Sequence, residues 1–192
     1  MRIVELILDE ENEMGGVFAI SLVDKPAIEE NFIMLSEEAV EFATIDQEKR
    51  IVLGAALVPN KMILRKDKET GELYYVYFTK ETIAKTAEKF FKQKLQDQST
   101  LQHAIPLEGV TAVESWIVED EVHDKTRKYN LSYPVGTWVV ASKIYNDEVW
   151  ENYVKTGKVM GYSIEGNYRE AVEMGEIDIE QLVLEALLEE LK

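Results

Sequence analysis

Short runs of branched and aromatic residues, separated by turn-forming clusters, recur from Ile3 to Tyr168, and one long segment with helical spacing interrupts them. A doubly wound parallel sheet needs strands and crossover helices in regular alternation, and that rhythm is missing here. Many short strands with two or three interspersed helices point instead to an α+β architecture. We expect it to be mostly β, with a barrel-like antiparallel sheet and a few surrounding helices.

The individual runs support this. Ile3–Leu8 and Gly16–Val23 read as strands on either side of Glu11–Gly16, and Asp24-Lys25-Pro26 ends the second. Arg50–Val58 closes at the Pro59-Asn60 turn. Met62–Arg65 and Leu73–Phe78 flank Asp67–Gly71 as an antiparallel hairpin. Thr79 then caps a helix whose apolar residues Ile83, Ala87, Phe90, Phe91 and Leu95 recur at three- and four-residue spacing, the stripe of a helix lying on a sheet. Leu101–Ala104, Gly109–Glu119 and Gly136–Ile144 read as extended. Asn146 or Asp147 caps a short helix ending at Gly157, and Val159–Tyr168 is the last strand. Ile177–Leu191 carries leucine or isoleucine around much of a helical circumference and needs a partner surface. The expected organisation is a domain over residues 1–170 and a C-terminal amphipathic helix within 171–192, for packing, dimerisation or scaffold contact.

Charge narrows the function. With 37 Asp and Glu against 21 Lys and Arg the formal net charge is −16, which repels phosphate backbones and anionic lipid, and no basic run compensates. Neither nucleic acid nor a membrane is an expected partner. The chain has no cysteine, so disulfides, thiolate metal sites and cysteine nucleophiles are excluded. No glycine-rich phosphate loop occurs, so no cofactor is expected.

A serine hydroxyl is a weak nucleophile at neutral pH and needs a base to take its proton. Gly161-Tyr162-Ser163-Ile164-Glu165-Gly166 places a serine in an apolar-flanked strand, and Leu101-Gln102-His103-Ala104 places one of the two histidines in another. In Val110–Asp120, strand alternation puts Glu114 on one face with Ala112, Trp116 and Val118, where a carboxylate needs a partner. That partner is either an imidazole it orients or a Lys or Arg at the sheet edge. His123 lies in the acidic run Glu119–Asp124 and reads as part of a solvated loop, without the spacing of a metal site. Glu165 has no role in this reading, and Tyr162 and Trp116 read as pocket or core residues.

Five segments in order, Ala19–Phe32, Tyr74–Ile83, Val113–Asp120, Gly136–Val140 and Gly161–Gly166, resemble the XkdF-type proteins of tailed phages and prophages. The likeness runs from about Ile20 to Tyr168. That family is regarded as serine proteases similar to the prohead, or capsid maturation, proteases, which share a fold with the herpesvirus assemblins. The resemblance implies a Ser163 nucleophile and a His103 general base. An acid is expected to orient the base; Glu114 is assigned, with Glu119 and Asp120 as rivals. It also implies a homodimer that cleaves phage scaffold and major capsid protein, inside the immature procapsid in the cytoplasm of the bacterial host. A non-catalytic structural or scaffold-binding module that keeps the protease fold is the alternative.

Overall fold

A computed structural model describes residues 2–24, 42–46, 49–67 and 70–171. The expected helix over Ile177–Leu191 lies outside the described residues. In chain order the elements are β1 (Ile3–Ile7), β2 (Gly16–Val23), β3 (Phe42–Asp46), β4 (Ile51–Leu57), β5 (Ile63–Lys66), β6 (Leu73–Tyr77), α1 (Lys80–Lys92), β7 (Ser99–Leu101), β8 (Ile105–Leu107), β9 (Val110–Ile117), β10 (Trp138–Ile144), α2 (Asp147–Val149), β11 (Gly161–Asn167) and β12 (Arg169–Glu170). A 3₁₀ turn spans Lys125–Tyr129, and α2 widens into a π-helical turn over Trp150–Val154.

The strands form three four-stranded sheets, ordered β12-β1-β6-β5, β3-β4-β10-β9 and β11-β2-β7-β8. This is a mostly β, α+β arrangement. Among the described residues, hydrogen bonding closes no barrel, and the sheets are not purely antiparallel: β1 pairs with β6, and β2 with β7, in parallel. Those two pairs join strands far apart in the chain, so no local turn signal announces them. The β5–β6 hairpin is antiparallel, as its turn residues predict.

Helix α1 forms where the periodicity places it. The Thr79 hydroxyl accepts from the Thr82 N–H at 3.4 Å, satisfying one of the free amides of the first turn. Ile83, Ala87 and Phe90 are buried with Thr82 and Thr86, so the stripe faces the sheets, and the Phe90 ring meets Trp138 edge-on at 5.5 Å. Trp138 is fully buried and its indole N–H donates to Ser115 Oγ at 2.7 Å. Around them lies the main core, which includes Ile20 and Leu22 of β2, Val52 of β4, Leu101 of β7, Val140 of β10 and Tyr162 of β11. A smaller cluster of Leu53, Ala55, Val118, Tyr133, Val139 and Ala141 covers the other face of the β4–β10 pair.

Two bulges set which side chains face which way. In β9, Ala141 lies opposite Glu114 but the next residue, Ser142, lies opposite Ala112, so Val113 is an extra residue that resets the alternation. Val110 and Ala112 face the main core before it; Ser115 and Ile117 turn that way after it. In β2, Phe18 is the corresponding extra residue, between Val17 opposite Gly166 and Ala19 opposite Glu165. Both bulged side chains are exposed.

The second bulge explains the last glycine of the Gly161–Gly166 segment. A Cβ on Gly166 would sit 2.7 Å from the Gly16 carbonyl oxygen, a backbone atom that cannot swing aside. Gly166→Ala is therefore expected to lower the unfolding free energy by about 1–3 kcal/mol, measured by urea denaturation. An unchanged midpoint would refute the close approach.

Tyr162 joins two sheets. Its side chain is buried, its hydroxyl donates to the Val52 carbonyl at 3.1 Å, and burial pushes the phenol well above its ordinary value. A raised folded-state value means the unfolded chain ionises first, so this contribution to stability is complete below about pH 10 and is lost as pH rises further. Unfolding free energy should fall by about 1.4 kcal/mol per pH unit more steeply above pH 10 in the wild type than in Tyr162→Phe. Parallel slopes would show that the phenol ionises in place.

Candidate active site

Strand β2 has a serine where its neighbours Ile20 and Leu22 go to the core. Successive strand residues point to opposite faces, so Ala19, Ser21 and Val23 lie on the side away from Ile20 and Leu22. The register then fixes what stands beside Ser21. Ser163 of β11 is its partner on one side and Thr100 of β7 on the other, and opposed residues share a face. Glu165, two residues beyond Ser163, is on that face as well, opposite the small Ala19. The sheet thus has one apolar face and one that carries Ser163, Ser21, Thr100 and Glu165 side by side.

His103 is not in a strand. It lies in the turn between β7 and β8, where Gln102 and His103 have φ of 52° and 57° and the Ala104 N–H donates to the Leu101 carbonyl at 3.1 Å. The turn carries the imidazole back over the polar face. His103 Nδ1 lies 3.4 Å from Glu165 Oε1, and the same carboxylate oxygen accepts from the Thr100 hydroxyl. The His103 side chain is 44% exposed and the Glu165 side chain 20%, so the acid is the more enclosed member and the ring retains access to solvent.

Ser163 and His103 are thus brought to one face of one sheet, although no hydrogen bond joins the Ser163 hydroxyl to the ring. Ser21 is fully buried, accepts the His103 backbone N–H at 2.9 Å and donates to the Thr100 carbonyl at 3.4 Å. Its hydroxyl is committed to the backbone. Ser163, only partly buried, is the more available of the two.

Glu114 is elsewhere. It stands on β9, in the β3-β4-β10-β9 sheet, and the bulge at Val113 puts it on the opposite side from Ala112, exposed and paired with the Lys125 ammonium. It shares a face with Trp116 and the buried Val118, but Glu114 itself is exposed there and already holds a cation: Lys125 Nζ also lies 5.1 Å from the centre of the Trp116 ring. The carboxylate's partner is Lys125, at the start of the 3₁₀ turn, and not the imidazole. The rival Asp120 is occupied too. It lies 2.9 Å from His123 Nδ1, and the Val122 and His123 N–H groups donate to it at 2.7 and 3.0 Å. Tyr162 is a core residue, whereas Trp116 is half-buried and donates its indole N–H to Asp124 Oδ2 at 3.0 Å.

Sequence reasoning passed over Glu165, yet the signal was present. Period-two alternation places residue i+2 on the face of residue i, so a strand-borne Ser163 carries Glu165 with it. What the alternation could not supply is the parallel pairing that brings Thr100 and the His103 turn alongside.

A family model described as "Putative phage serine protease XkdF" matches residues 39–173, most of the described chain. The chain belongs to this family. The matched range takes in β3 through β12, with His103, Ser163 and Glu165, and begins after β2 and the Ala19–Phe32 segment. No curated protein and no solved structure matches the chain.

The contacts around Asp120 give a measurable consequence away from this face. Bonding to the His123 ring and to the His123 and Val122 amides lowers its carboxyl to about 2. In His123→Ala the two backbone donors persist and the ring is lost. The Asp120 midpoint, followed by carboxyl-carbon NMR, should rise part of the way to the ordinary value near 4. A midpoint that stays put would assign the whole depression to the backbone.

Proposed function

We propose that this XkdF-family chain is a serine endopeptidase in which Ser163 is the nucleophile, His103 the general base and Glu165 the acid that orients it. The observation that carries the reading is the 3.4 Å approach of Glu165 to His103 Nδ1 on the face that bears Ser163. An acid at Nδ1 leaves Nε2 as the nitrogen that exchanges protons with substrate, the division of labour of a Ser-His-acid site. Glu165 replaces Glu114 in this role because Glu114 is held by Lys125 in another sheet.

Ser163 Oγ attacks the scissile carbonyl carbon while its proton passes to His103 Nε2. The tetrahedral species collapses, the C–N bond breaks, and Nε2 returns the proton to the departing amine. Water then attacks the resulting ester, giving its proton to Nε2; the C–Oγ bond breaks, Nε2 returns the proton to Ser163 Oγ, and the acid product leaves. The half-exposed ring has room to swing toward Ser163 as substrate seats, and catalytic hydrogen bonds commonly tighten at that stage.

By the family's resemblance to prohead proteases, the substrates are phage scaffold and capsid-protein segments. Cleavage takes place inside the immature procapsid in the bacterial host, by a homodimer with a barrel-like, herpesvirus-protease type of fold. The strongly acidic chain suits a soluble role with neither nucleic acid nor membrane as partner.

Treatment of the purified, folded chain with a fluorophosphonate should label Ser163, seen by mass spectrometry, and Ser163→Ala should abolish the adduct. Glu165→Gln should slow labelling by roughly 10²–10⁴-fold, the scale of losing the orienting acid, while Glu114→Gln stays within about twofold. Co-expression with scaffold and capsid protein should leave both uncut in Ser163→Ala. A wild-type chain that is folded, dimeric and supplied with scaffold, yet takes no label, would leave a non-catalytic scaffold-binding role in its place.

A further inference from the structure

Left-handed backbone at two consecutive residues that carry a Cβ is unfavourable, and turns of this kind ordinarily take Asn-Gly or Asp-Gly. Gln102 and His103, at φ 52° and 57°, have neither glycine nor aspartate to ease it. Such a turn persists only where its surroundings hold it. Strand β2 and Asp24 just after it do the holding: the Gln102 N–H donates to the Leu22 carbonyl at 3.0 Å, the His103 N–H to Ser21 Oγ at 2.9 Å, and the Asp24 N–H to Gln102 Oε1 at 3.4 Å.

Only one of these three bonds acts on the histidine itself, and it ends on a fully buried hydroxyl. We infer that Ser21 is a positioning residue for the proposed peptidase, a clamp that fixes the backbone of His103 so that its ring meets Glu165. This rests on the assignment of His103 as the base. Ser21 donates its own proton to the Thr100 carbonyl, which aims an oxygen lone pair at the His103 amide, and Thr100 in turn gives its side-chain hydroxyl to Glu165. One buried serine and the threonine beside it therefore set both halves of the His103–Glu165 pair without touching substrate.

Without the hydroxyl, the His103 N–H loses its acceptor and faces the buried methyl group of the alanine, and the turn is freed to relax to ordinary backbone angles. The ring then leaves Glu165. The full-length chain is tested as wild type, Ser21→Ala and Ser21→Cys, the last keeping the side chain's shape with a poor acceptor. A second pair, Thr100→Val and Thr100→Ser, removes and restores the other hydroxyl.

In Ser21→Ala and Ser21→Cys, hydrogen exchange at the His103 amide should quicken at least tenfold, with exchange in α1 and β10 unchanged. The rate constant for fluorophosphonate labelling of Ser163 should fall about 10–100-fold at full final amplitude. Thr100→Val should show the loss of rate and Thr100→Ser should recover it. A serine that merely supported the fold would lower the labelled amplitude and leave the rate of the folded fraction alone, and that result would overturn the inference. So would unchanged exchange at His103. If the wild type takes no label, the peptidase reading falls and with it the positioning role, while the exchange measurement still reads the clamp itself.

Discussion

Everything at the site depends on β2 being buried on both faces. Ile20 and Leu22 anchor one face in the main core, and Ala19, Ser21 and Val23 are buried on the other. A strand so placed must satisfy its backbone through neighbours on both sides, and it does so with β11 antiparallel and β7 parallel. That double pairing juxtaposes Ser163 and Thr100 across Ser21. A polar residue in the middle of so enclosed a strand is costly unless bonded, and the hydroxyl of Ser21 is used as both donor and acceptor. The strand's own need for satisfaction and the placement of the histidine turn are met by the same atoms.

The local elements were largely legible in the sequence. Helix α1, its Thr79 cap, the β5–β6 hairpin and the strands around Ser163 and Trp138 follow from periodicity and turn chemistry, and they appear where these put them. Their assembly was less so, because the parallel β1–β6 and β2–β7 pairs depend on contacts between segments far apart in the chain, such as Ile3 with Tyr75 and Ser21 with Thr100. The sheet order, and with it the absence of a closed barrel among the described residues, follows from those pairings.

The site shows the same division more sharply. Ser163 and His103 are recognisable as residue types with the right chemistry, but the strand with the most conspicuous alternation, β9, carries Glu114, which the structure places away from His103. That alternation is broken by the bulge at Val113, where an ordinary β-branched residue gives no sign of being extra. Glu114 consequently stands exposed beside Lys125, where an ion pair between exposed groups contributes little. Glu165 looked idle only because its neighbours on the adjoining strands come from distant parts of the chain.

In the proposed mechanism the base His103 sits in a strained turn and the nucleophile Ser163 in a strand, an arrangement that suits what each would have to do. Ser163 is held by the β2 ladder on one side and follows Tyr162, whose side chain is rooted in the core, so its backbone position is fixed by buried neighbours. An imidazole that must accept a proton from one atom and deliver it to another needs a fixed pivot and a mobile ring. The β7–β8 turn supplies both: its backbone is tied to β2 at Ser21 and Leu22, while the half-exposed side chain projects over the polar face. Glu165 then limits the ring's motion to orientations that keep Nδ1 near a carboxylate. The Gln102–His103 backbone adopts positive φ at a turn otherwise suited to glycine, and the hydrogen bond from the His103 N–H to the buried Ser21 hydroxyl is one of the contacts that hold it there.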